Sequence, residues 1–109
     1  MATGRLGVSA IPANMAGAGT SVYTVPTGYY TVLNVSVTNR NTTAIKVRIG
    51  ISTGTTPTAQ EYVEYDTAII GNGVFERTGL VLNAGLQVIV YSDTTNVGCT
   101  VYGIETSTT

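Results

Sequence analysis

The sequence predicts an all-β fold: an antiparallel β-sandwich of jelly-roll-like form, with about eight short strands and an extended N-terminal arm. Three observations predict it. Apolar and polar residues alternate with a period of two over residues 29–52, turn-forming residues recur every eight to twelve positions, and no segment carries helical periodicity.

Residues 29–52 are the clearest element. Leu33, Val35 and Val37 alternate with Asn34, Ser36 and Thr38, and Ile45, Val47, Ile49 and Ile51 alternate with Lys46, Arg48, Gly50 and Ser52. Such alternation places one sheet face on a core and the other in water, and the β-branched residues suit a pleated surface. The polar run Asn39, Arg40, Asn41, Thr42, Thr43 joins the two strands.

The flanking segments are read in order. Residues 1–19 are rich in Gly and Ala, with Pro12 among them, and only residues 6–11 have strand character. Leu6, Val8 and Ala10 share a face there, and Ile11 falls out of phase. The expectation is an extended arm over 1–19 that orders against a neighbouring subunit, because fixing such a chain alone costs ~1–2 kcal/mol per residue. A strand follows over 20–25, with Val22 and Thr24 opposed to Tyr23 and Val25, and Pro26, Thr27 and Gly28 then turn the chain.

After residue 52 a polar loop leads to a strand over 61–65, placed at an edge or interface. A short strand over 68–70 ends at the turn Gly71, Asn72, Gly73. Residues 74–82 form one strand bent or bulged at Thr78 and Gly79, and the last two strands span 86–91 and 97–104. The domain is therefore expected over 20–105, with a polar tail over 106–109.

Composition narrows the function. The chain has 109 residues, a single domain's worth. Charged residues make up 10% against about 25% in an average soluble domain, and 20 Thr and 13 Gly take much of their place. A surface of hydroxyls suits a subunit covered by partners. The net charge of −1, with only Lys46 and Arg48 sharing a strand face, argues against binding nucleic acid or an anionic membrane. No apolar run approaches the ~20 residues of a membrane helix, and the N-terminus lacks a signal-peptide pattern. Synthesis in a cytoplasm, and solubility until assembly, is the expectation.

Enzymatic chemistry is not expected. Without His the commonest general base is missing, together with Ser-His and Cys-His pairs and the usual zinc shells. The acidic cluster is Glu61, Glu64 and Asp66, of which Glu64 and Asp66 are expected to share a strand face. Two carboxylates fall short of a calcium shell. A Glu64–Arg77 or Glu76–Lys46 ion pair at a strand edge is the preferred reading. No catalytic, metal or cofactor-binding residue is assigned. Cys99 alternates in phase with Val97 and Val101 and is read as a buried thiol. The seven tyrosines supply amphipathic contact area at core rims and interfaces, or else a sugar-binding patch. Candidate subunit-interface residues are Leu6, Val8 and Ile11 in the arm, with Tyr23, Tyr62 and Tyr65.

Several short runs carry a family resemblance. They are Val22-Tyr23-Thr24-Val25-Pro26 with Gly28, Val35-Ser36-Val37-Thr38-Asn39-Arg40, Val47-Arg48-Ile49 and Glu64-Tyr65-Asp66. Gly73-Val74-Phe75-Glu76-Arg77-Thr78-Gly79, Val88-Ile89-Val90-Tyr91-Ser92 and Val101-Tyr102-Gly103-Ile104-Glu105 complete the set. Over residues 20–105 the chain resembles small β-sandwich virion structural proteins of tailed bacteriophages. The resemblance implies a non-enzymatic protein of the virion, assembled in the host cytoplasm. It is compatible with a capsid decoration (cement) protein on the outer head surface, or with a tail-fibre, neck or baseplate component that contacts host surface glycan. The expected partners are further copies of the chain, as in a trimer, and the phage major capsid protein or another virion protein.

Overall fold

A computed structural model describes residues 3–108 of the chain. Its strands are β1 (Thr3–Ile11), β2 (Thr20–Thr24), β3 (Tyr29–Asn39), β4 (Ile45–Ser52), β5 (Tyr62–Ile69), β6 (Val74–Asn83), β7 (Gln87–Ser92) and β8 (Val97–Ser107). A single 3-10 turn, Ala59–Glu61, precedes β5. The first sheet has the order β1-β8-β3-β6 and the second β2-β7-β4-β5, with every strand pair antiparallel. This is the strand order of a jelly roll.

The alternation seen in the sequence builds the core directly. Leu33, Val35 and Val37 of β3 face Ile45, Val47 and Ile49 of β4 across the sandwich, joined by Val88 and Val90 of β7 and Val97, Cys99 and Val101 of β8. Cys99 is buried and unbridged, and burial pushes its thiol up to about 12.

Central and edge strands differ in regularity. β3 pairs with β8 without interruption from Tyr29 opposite Ser107 to Asn39 opposite Val97, and β4 with β7 from Val47 to Ser52. All four edge strands carry a register shift against their neighbour: β1 at Leu6, β2 at Val22, β6 between Arg77 and Leu80, and β5 around Tyr65 and Asp66. Bulges at edges interrupt the row of free N–H and C=O groups onto which another strand could add. At the β6 bulge, Gly79 takes a positive φ of 72°, and its N–H donates to Asn34 Oδ1.

Several expectations change here. The arm expected over 1–19 is extended over Thr3–Ile11, but that stretch is an edge strand hydrogen-bonded to β8, because β8 would otherwise leave one side unpaired. The bulge at Leu6 takes that residue out of phase with Val8 and Ala10, so Leu6 turns to the core while Val8 turns outward; Ile11, expected out of phase with Val8 and Ala10, is so and is buried. Thr106 and Ser107, expected in a polar tail beyond the domain, extend β8 opposite Tyr30 and Tyr29. The strands expected over 61–65 and 68–70 are one strand, bent at Asp66, whose φ is 53°. The bulge at Val22 directs both Val22 and Tyr23 inward.

Polar residues inside the sandwich are fully engaged. Asn39, with no solvent exposure, donates through Nδ2 to the carbonyls of Thr43, Ile69 and Ile70 and accepts at Oδ1 from Asn41. It thereby ties the β3–β4 loop to the β5–β6 turn. Tyr23 Oη of the second sheet donates to Glu105 Oε2 of the first at 2.6 Å and shares a 2.9 Å hydrogen bond with Thr31. Burial, reinforced by the Glu105 carboxylate, pushes the Tyr23 phenol up to about 12.

Candidate interaction surface

The outward residues of the two sheets meet different fates. On the second sheet, Ile89 and Tyr91 of β7 point away from the core, yet residues 12–19 lie over them as a strap. Asn14 N–H donates to the Ser92 carbonyl at 2.8 Å, Tyr91 Oη to the Gly17 carbonyl at 2.6 Å, and Arg48 Nη1 to the Met15 carbonyl at 2.9 Å. Glycine at position 19 has a steric cause. A Cβ on Gly19 would lie 2.5 Å from Ile89 Cγ2 and 2.7 Å from the Tyr91 ring. Loop 53–58 closes over the same side, since a Cβ on Gly50 would meet Pro57 Cγ at 2.6 Å.

Beside the strap sits a polar-aromatic cluster. Arg48 stacks on the Tyr65 ring at 4.1 Å and pairs with Asp66 at 2.6 Å, while Tyr62 meets Tyr65 edge-on at 5.1 Å and Tyr91 at 6.1 Å. The Arg48 guanidinium holds the Asp66 carboxyl below its usual range. The positive φ at Asp66 separates it from Glu64, so the two carboxylates do not share the strand face expected of them. Glu64 lies opposite Ile49 and pairs with Arg77 of β6 at 2.7 Å, an ion pair that joins the two sheets at their flank. The alternative Glu76–Lys46 pair does not form: Glu76 lies opposite Ser36 on the outer face of the first sheet, where it accepts a hydrogen bond from Tyr102 Oη. Among the described residues, no group of three His, Cys, Asp or Glu side chains is arranged to hold a metal ion.

The outer face of the first sheet has no strap. Pairing places its side chains in rows that run across the strands. Val81, Val32 and Ile104 lie directly opposite one another on β6, β3 and β8, continued by Thr3 on β1. On one side of that row lie Asn83, Tyr30 and Thr106. On the other lie Asn34, Tyr102 and Arg5, then Glu76, Ser36, Thr100 and Val8, then Val74, Thr38, Gly98 and Ala10. Val32 is 43% exposed, Ile104 51% and Val81 67%. Arg5 and Glu76 are the only charged side chains among these rows. The face is thus nearly uncharged and carries an apolar stripe across its strands.

The six residues expected at subunit interfaces separate accordingly. Ile11 and Tyr23 belong to the core, and Leu6 packs against it, so their side chains are spent within the chain. Val8 lies on the open face, while Tyr62 and Tyr65 lie on the opposite sheet beside the strap. Val32, Val81 and Ile104 were not singled out by sequence reasoning. The signal was present in apolar residues at alternating positions on both sides of a strand: Val32 lies out of phase with Leu33, as Ile104 does with Val101.

The chain matches no protein-family model, no curated protein and no solved structure.

Proposed function

We propose that this chain is a non-enzymatic structural subunit that works by assembling through the outer face of its first sheet. The observation that carries this reading is the exposed row Val81, Val32, Ile104 on a face with two charged residues. Burial of apolar area at ~25 cal/mol per Å² supplies the driving force, and few charges means little desolvation cost. Together with the resemblance noted in the sequence, the setting we favour is the virion of a tailed bacteriophage, as a capsid decoration protein that reinforces the outer head surface. Jelly rolls recur in capsid and lectin domains, so the fold accommodates this setting without demanding it.

The test is the chain's copy number in purified particles, followed by rebinding to heads that lack it. Hundreds of copies per particle, and heads that resist heat or low salt better once the chain is added back, are the expected results. Dozens of copies would move the protein to the tail, and absence from particles would overturn the virion setting. Val32→Asp should abolish rebinding by breaking the assembled form that binds, and unchanged rebinding would overturn the role of the face.

One observation favours a second reading, a tail component that contacts host glycan. The exposed Tyr65 ring, braced by Arg48 and Tyr62, offers an aromatic platform of the kind that stacks on sugars. A glycan array without binding would remove it.

A further inference from the structure

We propose that the occupant of the open face is a second copy of this chain, packed face to face about a two-fold axis that runs along the strands. The dimer rests on the reading of this face as an interface, and adds its occupant and its orientation. An axis between β8 and β3 lays β8 of one copy over β3 of the other, and β1 over β6. Ile104 then meets Val32 of the second copy while Val32 meets its Ile104, so the stripe is complementary to itself.

The charges obey the same symmetry. Arg5 lies on β1 at one margin of the face and Glu76 on β6 at the other, one row apart in the pairing. A row step is ~7 Å along the strand, within reach of an arginine side chain. Each Arg5 therefore approaches the Glu76 of the other copy, and two equivalent ion pairs close the rim. Arg5 has no ion-pair partner among the described residues. Glu76 accepts from Tyr102 at Oε2, and a carboxylate accepts at both oxygens.

Other modes of self-association are less favoured. The edge strands are bulged against strand addition, and Ile89 and Tyr91, the apolar outer residues of β7, lie under residues 12–19. A three-fold ring needs two different patches, whereas this face is one patch that fits its own copy. Four strands ~4.8 Å apart and about eight residues long, at ~3.3 Å each, offer roughly 500 Å² in plan. Side-chain relief raises that area toward the ~800 Å² per partner of a standard interface.

Sedimentation equilibrium over a range of concentrations tests the dimer, using the wild type, Val32→Asp, Arg5→Glu, Glu76→Arg and an equimolar mixture of the last two. Far-UV circular dichroism confirms folding, and Val81→Asp on the edge strand replaces Val32→Asp if that variant does not fold. The wild type should be a dimer. Val32→Asp should weaken association at least roughly a hundredfold, and each single charge reversal roughly tenfold. The mixture should recover wild-type affinity, because each reversed charge then meets its opposite at both ends of the interface. A monomeric or trimeric wild type, or a dimer indifferent to the Val32→Asp and Val81→Asp variants, would overturn the proposal. Charge reversals without effect, or a mixture that stays weak, would overturn the orientation. A monomeric wild type whose rebinding to heads is lost with Val32→Asp would sink the dimer and leave the interface reading standing.

Discussion

On the second sheet, Ile89 and Tyr91 point away from the core and are 0% and 1% exposed; on the first, Val32, Ile104 and Val81 point away from the core and stay open at 43%, 51% and 67%. Both sheets therefore put apolar side chains on their outer faces. What differs is the rest of the chain. Residues 12–19 cross the second sheet, donating to the Ser92 carbonyl and accepting from the Tyr91 hydroxyl and the Arg48 guanidinium, whereas no segment among the described residues crosses the first. The lesson is that a strand residue's fate depends on what lies above its sheet as well as on the sheet it joins. Fully burying a side chain of this kind contributes about 1.5–3 kcal/mol. That gain has been realised on one face and remains available to a partner on the other.

The comparison breaks most readily at Tyr91. Tyr91→Ala should cost about 3–5 kcal/mol in denaturant unfolding, because the ring fills the space beneath the strap and its hydroxyl holds Gly17. A loss below about 1 kcal/mol would show the strap to be dispensable.

Alkali should act next, again on buried groups. Tyr23, Tyr91 and Cys99 are each pushed up to about 12, mainly by burial. Their folded values lie above the unfolded ones, so the folded state holds these protons more tightly. The stability they contribute is complete below about pH 9 and is lost as the pH climbs toward 12. At ~1.4 kcal/mol per unit, each phenol accounts for up to about 3 kcal/mol. Urea titrations at pH 8, 10 and 11.5 would read the decline, and a flat profile would contradict it.

A smaller effect sharpens the steric cause of the strap. Gly19→Ala should destabilise by about 1–3 kcal/mol, since the added methyl collides with Ile89 and Tyr91. Gly98→Ala on the open face has no such neighbour and should leave packing undisturbed. The inter-sheet ion pair matters less, because Arg77 is partly solvated. Glu64→Gln should cost no more than about 1 kcal/mol, with the loss shrinking at high salt. Least of all, Ile104→Thr should shift unfolding at low protein concentration by no more than about 0.5 kcal/mol, as expected for a surface position. A larger loss in the monomer would mean that the open face already supports the fold.

Much of this architecture was legible in the residues. The alternation through Leu33, Val35, Val37 and then Ile45, Val47, Ile49 specified the two central strands and the core between them. Cys99 followed from its phase with Val97 and Val101, and the Glu64–Arg77 ion pair was among the pairs expected. The interface candidates were harder to read. Leu6 and Val22 face the core because a bulge at each shifts the period of two by one residue, while Ile11 and Tyr23, expected at subunit interfaces, are buried within the chain. A bulge leaves no compositional mark beyond the occasional glycine, and each one inverts every assignment that follows it. Asn39 looked like one more loop residue, although its amide is the buried tie between two loops distant in sequence.

The sequence by itself determined the fold class, the central strands, the turns at Pro26–Gly28 and Gly71–Gly73, and the scarcity of charge. All of these depend on local periodicity and on the intrinsic geometry of Gly and Pro. Only the tertiary structure decided that the N-terminal stretch is a strand followed by a strap, that the edge strands are bulged, and which sheet face is left uncovered. Those outcomes depend on contacts between segments far apart in the chain. β1 meets β8 across some ninety residues, and no local pattern encodes which of two similar surfaces a distant Gly/Ala segment will close.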